Sequence, residues 1–260
     1  MKIQTIALIV LAISILGRGT TNNNWVVEKH MGYNIYYTSI EKENINEYSK
    51  FVNNGVKSVL NFFPNSRIKE FDVYVHPNRQ SLDSAWQKDW NMPDFKSECW
   101  MVASGIANKL DVISPKQWSI ESCEHNYSDT VGTQRLITHE LVHVFHGQHN
   151  LSPDFNDIDG IDWFVEGLAT YVSGQMDAKR IAQVKELINS KGAPQSLNKF
   201  WTGNYKYALA GSMVMSIDKK YGRSKLFELL KFNKLDGILS SLNTTEEGLV
   251  SNWREFMQHE

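Results

Sequence analysis

Cysteine is scarce in this chain: only Cys99 and Cys123 occur. A densely cross-linked scaffold and a cysteine-rich metal cluster are therefore excluded. Positive charge is not in surplus either. Lys and Arg number 27 against 29 Asp and Glu, a formal charge of −2, and no basic cluster stands out. That balance lacks the electrostatic footprint of a nucleic-acid-binding protein, so no nucleic acid is expected as a partner. Internal repeats and low-complexity tracts are missing too. The apolar run at residues 3–16 is too short for a membrane span, but it has the length of a signal-peptide core behind Met1 and Lys2.

No A-x-A site follows that run, and cleavage is expected near residues 17–20. No cysteine follows it directly either, which argues against a lipid-anchored precursor. An uncleaved N-terminal membrane anchor is the alternative. In both cases the body of the protein is expected outside the cytoplasm, secreted or periplasmic. Residues 1–24, ending in the polar Asn22-Asn23-Asn24, are set aside as signal peptide and linker, and residues 25–260 are read as one domain. In an exported chain a pair of cysteines reads as one disulfide. Two buried thiols, or a metal site shared with His125, are the alternatives.

Hydrophobic periodicity divides the body in two. Strands are expected at 25–29, 33–38, 68–76, 100–104 and 109–114, with helices at 41–63 and 78–90. Residues 116–130 read as a polar loop, and a helix is expected over 131–146. Beyond it the pattern is helical, at 162–173, 178–189, 205–221, 224–232 and 245–257. A β-rich lobe over about 25–148 and a helical lobe over about 149–260 make the expected class α+β, with a cleft where they meet.

The helix at that junction carries Thr138-His139-Glu140-Leu141-Val142-His143 in an apolar setting supplied by Leu136, Ile137, Val144 and Phe145. Positions i and i+4 share a helix face, so His139 and His143 can point two imidazole nitrogens at one metal ion. Glu140 lies beside them, placed to act on a metal-activated water rather than to ligate.

Two residues compete to be the third ligand. Glu166 stands in Trp163-Phe164-Val165-Glu166-Gly167-Leu168, among apolar neighbours where an unpaired carboxylate is costly. His149 would extend the motif to H-E-x-x-H-x-x-G-x-x-H, except that His146 occupies the glycine position and the glycine comes one place late, at Gly147. His146 itself reads as a helix-end histidine near the C-terminal dipole. Asn126, Asn150 and Asn243 each begin an N-x-[ST] triplet, the pattern of a glycosylation acceptor.

His139-Glu140-x-x-His143 followed by Trp163-x-x-Glu166-Gly167-x-Ala169-x-Tyr171 resembles the gluzincins, specifically the peptidase MA-like group related to aminopeptidase N-type catalytic domains. The resemblance covers roughly residues 100–257. It implies a zincin-like fold and one zinc ion held by His139, His143 and Glu166, with Glu140 as general base. The segment Tyr207-Ala208-Leu209-Ala210-Gly211-Ser212 is similar to the one in which the family carries an oxyanion-stabilising tyrosine. That implies a catalytic Tyr207, with Tyr205 and Tyr221 as rivals. Ala103-Ser104-Gly105-Ile106-Ala107 falls where the family has a substrate-pairing edge strand, implying contacts from Gly105, Ile106 and Ala107; an ordinary hairpin turn is the alternative. No stretch for gripping a substrate amino terminus is present, so aminopeptidase action is not implied. The expectation is an exported zinc metallopeptidase acting on peptide or protein substrates. The alternative is a non-catalytic exported protein that binds a peptide or partner in the same metal-containing cleft.

Overall fold

Alternation builds the sheet. The computed structural model describes residues 24–260; the signal-peptide reading falls on residues outside them. Strand β1 (Trp25–His30) pairs antiparallel with β2 (Tyr33–Thr38), in which Tyr33, Ile35 and Tyr37 are buried and the residues between them half-exposed. Helix α1 (Ile45–Phe62) lays down a buried stripe of Ile45, Tyr48, Val52 and Val59, then returns the chain to β3 (Phe71–His76), parallel to β2. Helix α2 (Arg79–Asp89) starts at Asn78, whose side chain accepts from the Ser81 amide at 2.9 Å. Strands β4 (Ala103–Ile106) and β5 (Lys109–Ile113) form a hairpin with β5 parallel to β3, giving the order β1-β2-β3-β5-β4. The turn is therefore at Ala107-Asn108, and Gly105 and Ile106 belong to the edge strand rather than to the turn.

The expected loop at 116–130 contains a short helix, α3 (Trp118–Glu121). Trp118 is buried and its indole donates to the Ile113 carbonyl at 3.0 Å. Close by, Cys99 and Cys123 are disulfide-bonded, with Cα atoms 5.4 Å apart. The central helix α4 (Thr130–Gly147) begins at Asp129, which accepts from the Gly132 amide. From Leu136 onward it is buried on nearly every side. Helices α5 (Asp162–Val172), α6 (Ala178–Asn189), α7 (Lys206–Tyr221), α8 (Arg223–Leu229), α9 (Leu235–Ser241) and α10 (Glu246–His259) complete the chain.

The class is α+β: among the described residues all five strands precede residue 114, and every element after α4 is helical. One continuous core runs from Ile35, Val73 and Leu110 in the sheet through Leu141 and Phe145 of α4 to Phe164, Met213 and Trp253 beyond it. Among the described residues no helix is long and apolar enough to cross a membrane. Asn150 is buried, with its amide donating to the carbonyls of Leu230 and Phe232, so it is not open to glycosylation in this fold.

A Ser-His-Asp array joins the sheet to α2. His76 bridges Ser81 Oγ at 2.9 Å and Asp111 Oδ1 at 2.8 Å, and Lys109 pairs the second Asp111 oxygen at 2.8 Å. All three members are buried and none lines the cleft, so the array clamps β3, α2 and β5 together rather than meeting a substrate.

Candidate metal centre

The one-turn spacing on α4 does what the helix geometry requires. His139 and His143 lie on the same face, each 6% exposed. Across from them, α5 carries Glu166. Its Oε2 lies 3.3 Å from His139 Nε2 and 3.7 Å from His143 Nε2. One ligand atom from each of the three falls within 4.8 Å of the others. The Glu166 side chain keeps 27% of its surface exposed toward the cleft. Burial pushes its pKa up, but the facing imidazoles, His143 first and then His139, outweigh it and hold the carboxyl well below its usual range.

Glycine brings the carrying elements close enough. A Cβ at Gly167, next to Glu166, would overlap the Ala210 carbonyl oxygen, so α5 seats directly on the backbone of α7. A Cβ at Gly105 would overlap the Glu140 carbonyl and crowd His143, so β4 lies directly on α4. The close approach expected at Gly105 is thus to the motif helix.

A turn through Gly174, φ 75°, follows α5 and returns Gln175 to the site. The Gln175 Oε1 accepts from His139 Nδ1 at 3.1 Å, which leaves Nε2 toward Glu166. His143 Nδ1 has no such partner among the described residues. Glu140 shares the cleft with the three. Burial pushes its pKa up to about 7; His139 pulls it down and Glu166 pushes it further up.

Tyr207, in the first turn of α7, sits with its ring 6.1 Å from the His139 imidazole and edge-on to Trp201 at 4.8 Å. Burial first, then the nearby Glu166 and Glu140, raise its pKa, so the phenol keeps its proton. Tyr205 is 40% exposed and Tyr221 closes the far end of the same helix; neither lines the cleft.

His149 is not in the group. Its Nδ1 donates to the Phe145 carbonyl at 2.8 Å, and its ring packs on Phe145 and Phe227. His146 stands in the last turn of α4, as expected, and is not one of the three converging side chains. It is fully buried between Phe155 and Phe164, with the Asn150 amide 3.3 Å from Nε2. Burial, reinforced by His143, lowers its pKa to about 3, so it is neutral and offers no charge to the helix dipole.

The cleft holds about 680 Å³. Gly105 and Ile106 line it, along with Ala103 and Ser104. Ala107 does not: its amide donates to the Pro153 carbonyl at 3.0 Å and its own carbonyl accepts from Gln148 at 2.8 Å. Both backbone groups that a substrate strand would use are already paired, which corrects the expected contact from Ala107. Among the lining residues that sequence reasoning did not assign to the site are Gln175, Arg180 and the wall tryptophans Trp86, Trp90, Trp100 and Trp201.

Two histidine nitrogens and one carboxylate oxygen form a donor set suited to zinc. No protein-family model matches this chain, and no curated protein does.

Proposed function

We propose that this protein is an exported zinc-dependent metallopeptidase of gluzincin type with a zincin-like fold. The observation that carries the proposal is the convergence of His139, His143 and Glu166 within 4.8 Å in a cleft that also holds Glu140. Three protein ligands leave a fourth position for water or substrate, the arrangement of a catalytic rather than a structural zinc. Zinc bound there would supply Lewis acidity toward a water and a scissile carbonyl oxygen.

The chain's own residues have separable tasks. Gln175 fixes the His139 tautomer so that Nε2 ligates. Glu140, with a pKa near 7, takes the proton of the attacking water and returns it to the departing amine nitrogen. Tyr207 keeps its proton and donates a hydrogen bond to the oxygen on which negative charge develops. Gly105 and Ile106 form the cleft wall along the outer strand of the sheet, where an extended peptide would lie.

Replacing the general base tests the reading. Glu140→Gln is expected to bind zinc at one equivalent, as the parent does, while cleavage of a peptide library falls about a hundredfold or more. Undiminished cleavage would remove Glu140 from the mechanism. One zinc bound by the parent with no peptide cleaved would favour the binding-protein alternative.

A further inference from the structure

Among the described residues that line the cleft, Arg180 is the only lysine or arginine; Lys206 lies behind the wall, its ammonium over the rings of Trp100, Trp201 and Tyr207, and the other charged groups in the lining are the carboxylates Glu124, Glu140, Asp154, Asp162 and Glu166 and the histidines. Its backbone and its guanidinium have different fates. The amide donates to the α6 cap residue, Asp177, at 3.1 Å. The guanidinium turns back, and Nη1 donates to the Gln175 carbonyl at 2.6 Å. The second Asp177 oxygen faces Arg135 at 3.6 Å. Among the described residues no carboxylate pairs with Arg180, and its other guanidinium N–H groups have no partner.

The position is defined by Gln175. Its side chain orients His139 while its carbonyl holds Arg180, so the guanidinium is anchored one residue away from a metal ligand. Arg180 also lies close enough to Tyr207 to counter part of what the acidic groups do to the phenol. A fixed guanidinium presents a planar fork that matches a carboxylate through two parallel hydrogen bonds. A general counter-charge for the acidic cleft would sit within ion-pair distance of one of those carboxylates, and Arg180 does not.

We propose that Arg180 is a specificity-determining residue that binds a carboxylate of the substrate beside the reacting bond. The inference rests on the peptidase reading. The carboxylate has two sources, the free C-terminus of a peptide or an Asp or Glu side chain, and both would meet the same fork.

The test uses the zinc-loaded full chain carrying Glu140→Gln, which leaves peptides intact. Three N-acetylated tetrapeptides are titrated by calorimetry: one with a free C-terminal carboxylate, its C-terminal amide, and the amide with one internal glutamate. The carboxylate peptides are expected to bind roughly ten- to a hundredfold more tightly than the neutral amide, the range for a charge-assisted bond. Which of the two gains identifies the source. Adding Arg180→Gln is expected to close most of that gap. Arg180→Met is measured beside it, with zinc content and circular dichroism on both, so that a folding defect in one leaves the other to decide. A gap of unchanged size in the folded variants overturns the assignment, as does equal binding of all three peptides by the starting protein. The chain with Glu140 intact is incubated with the same peptides. Arg180-dependent binding without any cleavage would overturn the peptidase reading while leaving the carboxylate site standing.

Discussion

Histidine shows at the level of single residues how burial decides chemistry. His139, His143 and His146 follow one another along α4, yet two face a carboxylate and the third is walled in by phenyl rings. His146 has a folded-state pKa of about 3, below its ordinary value near 6.5. The unfolded chain therefore binds a proton there before the native one does. The stabilisation is fully present above about pH 6.5 and is lost as pH falls toward 3, at no more than about 1.4 kcal/mol per pH unit from this group. In urea titrations of metal-free protein, His146→Gln is expected to show a shallower loss of stability than the parent over that window. Identical slopes would mean that His146 is not the group responsible. His139, Glu140 and His143 were legible in the sequence because the i, i+4 rule is local. Glu166 was legible through the cost of burying a lone carboxylate. Gln175 and Arg180 were not, because they reach the site only through the left-handed turn at Gly174 after α5, which no periodicity encodes.

At the level of elements, strongly periodic segments kept their expected places. β2 and α6 coincide with the residues read from the sequence, and α4 extends one residue beyond its expected span at each end. The misses are short and held by tertiary contacts. α3 forms around one buried tryptophan, and α9 has seven residues, too few for a periodic signal. The substrate-edge reading was half legible: Gly105 and Ile106 reach the cleft, while Ala107 is paired to loops far away in sequence. Gly167 sets how closely Glu166 and Tyr207 approach, because α5 rests on the α7 backbone at that point. Gly167→Ala adds a methyl group against main-chain atoms, which cannot rotate away. Overpacking of this kind costs about 1–3 kcal/mol, more than the roughly 1 kcal/mol that alanine contributes as the better helix former. A lower thermal midpoint and weaker zinc retention are the expected results, and a variant as stable as the parent would show that α5 and α7 can separate without penalty.

Over the whole molecule, the sheet and the helices share one core, and residues of both line the cleft. The division between a β-rich and a helical half was readable from periodicity. The packing that brings His139, His143 and Glu166 to one point was not, since it depends on glycine contacts between segments distant in the chain. The disulfide braces the cleft from outside: Trp100 follows Cys99, Glu124 and His125 follow Cys123, and all three line the wall. Closing a 24-residue separation stabilises by about 3 kcal/mol in the chain-entropy model. Reductant should lower the guanidinium midpoint accordingly, and an unchanged midpoint would mean that the bond does not constrain the unfolded chain. Metal analysis after exhaustive dialysis of the parent and of Glu166→Ala decides whether His139, His143 and Glu166 together hold one zinc. One zinc per chain is expected in the parent and less than about a tenth of that in the variant at equal folded content. A variant that retains a full equivalent, or a parent that retains none, would contradict it.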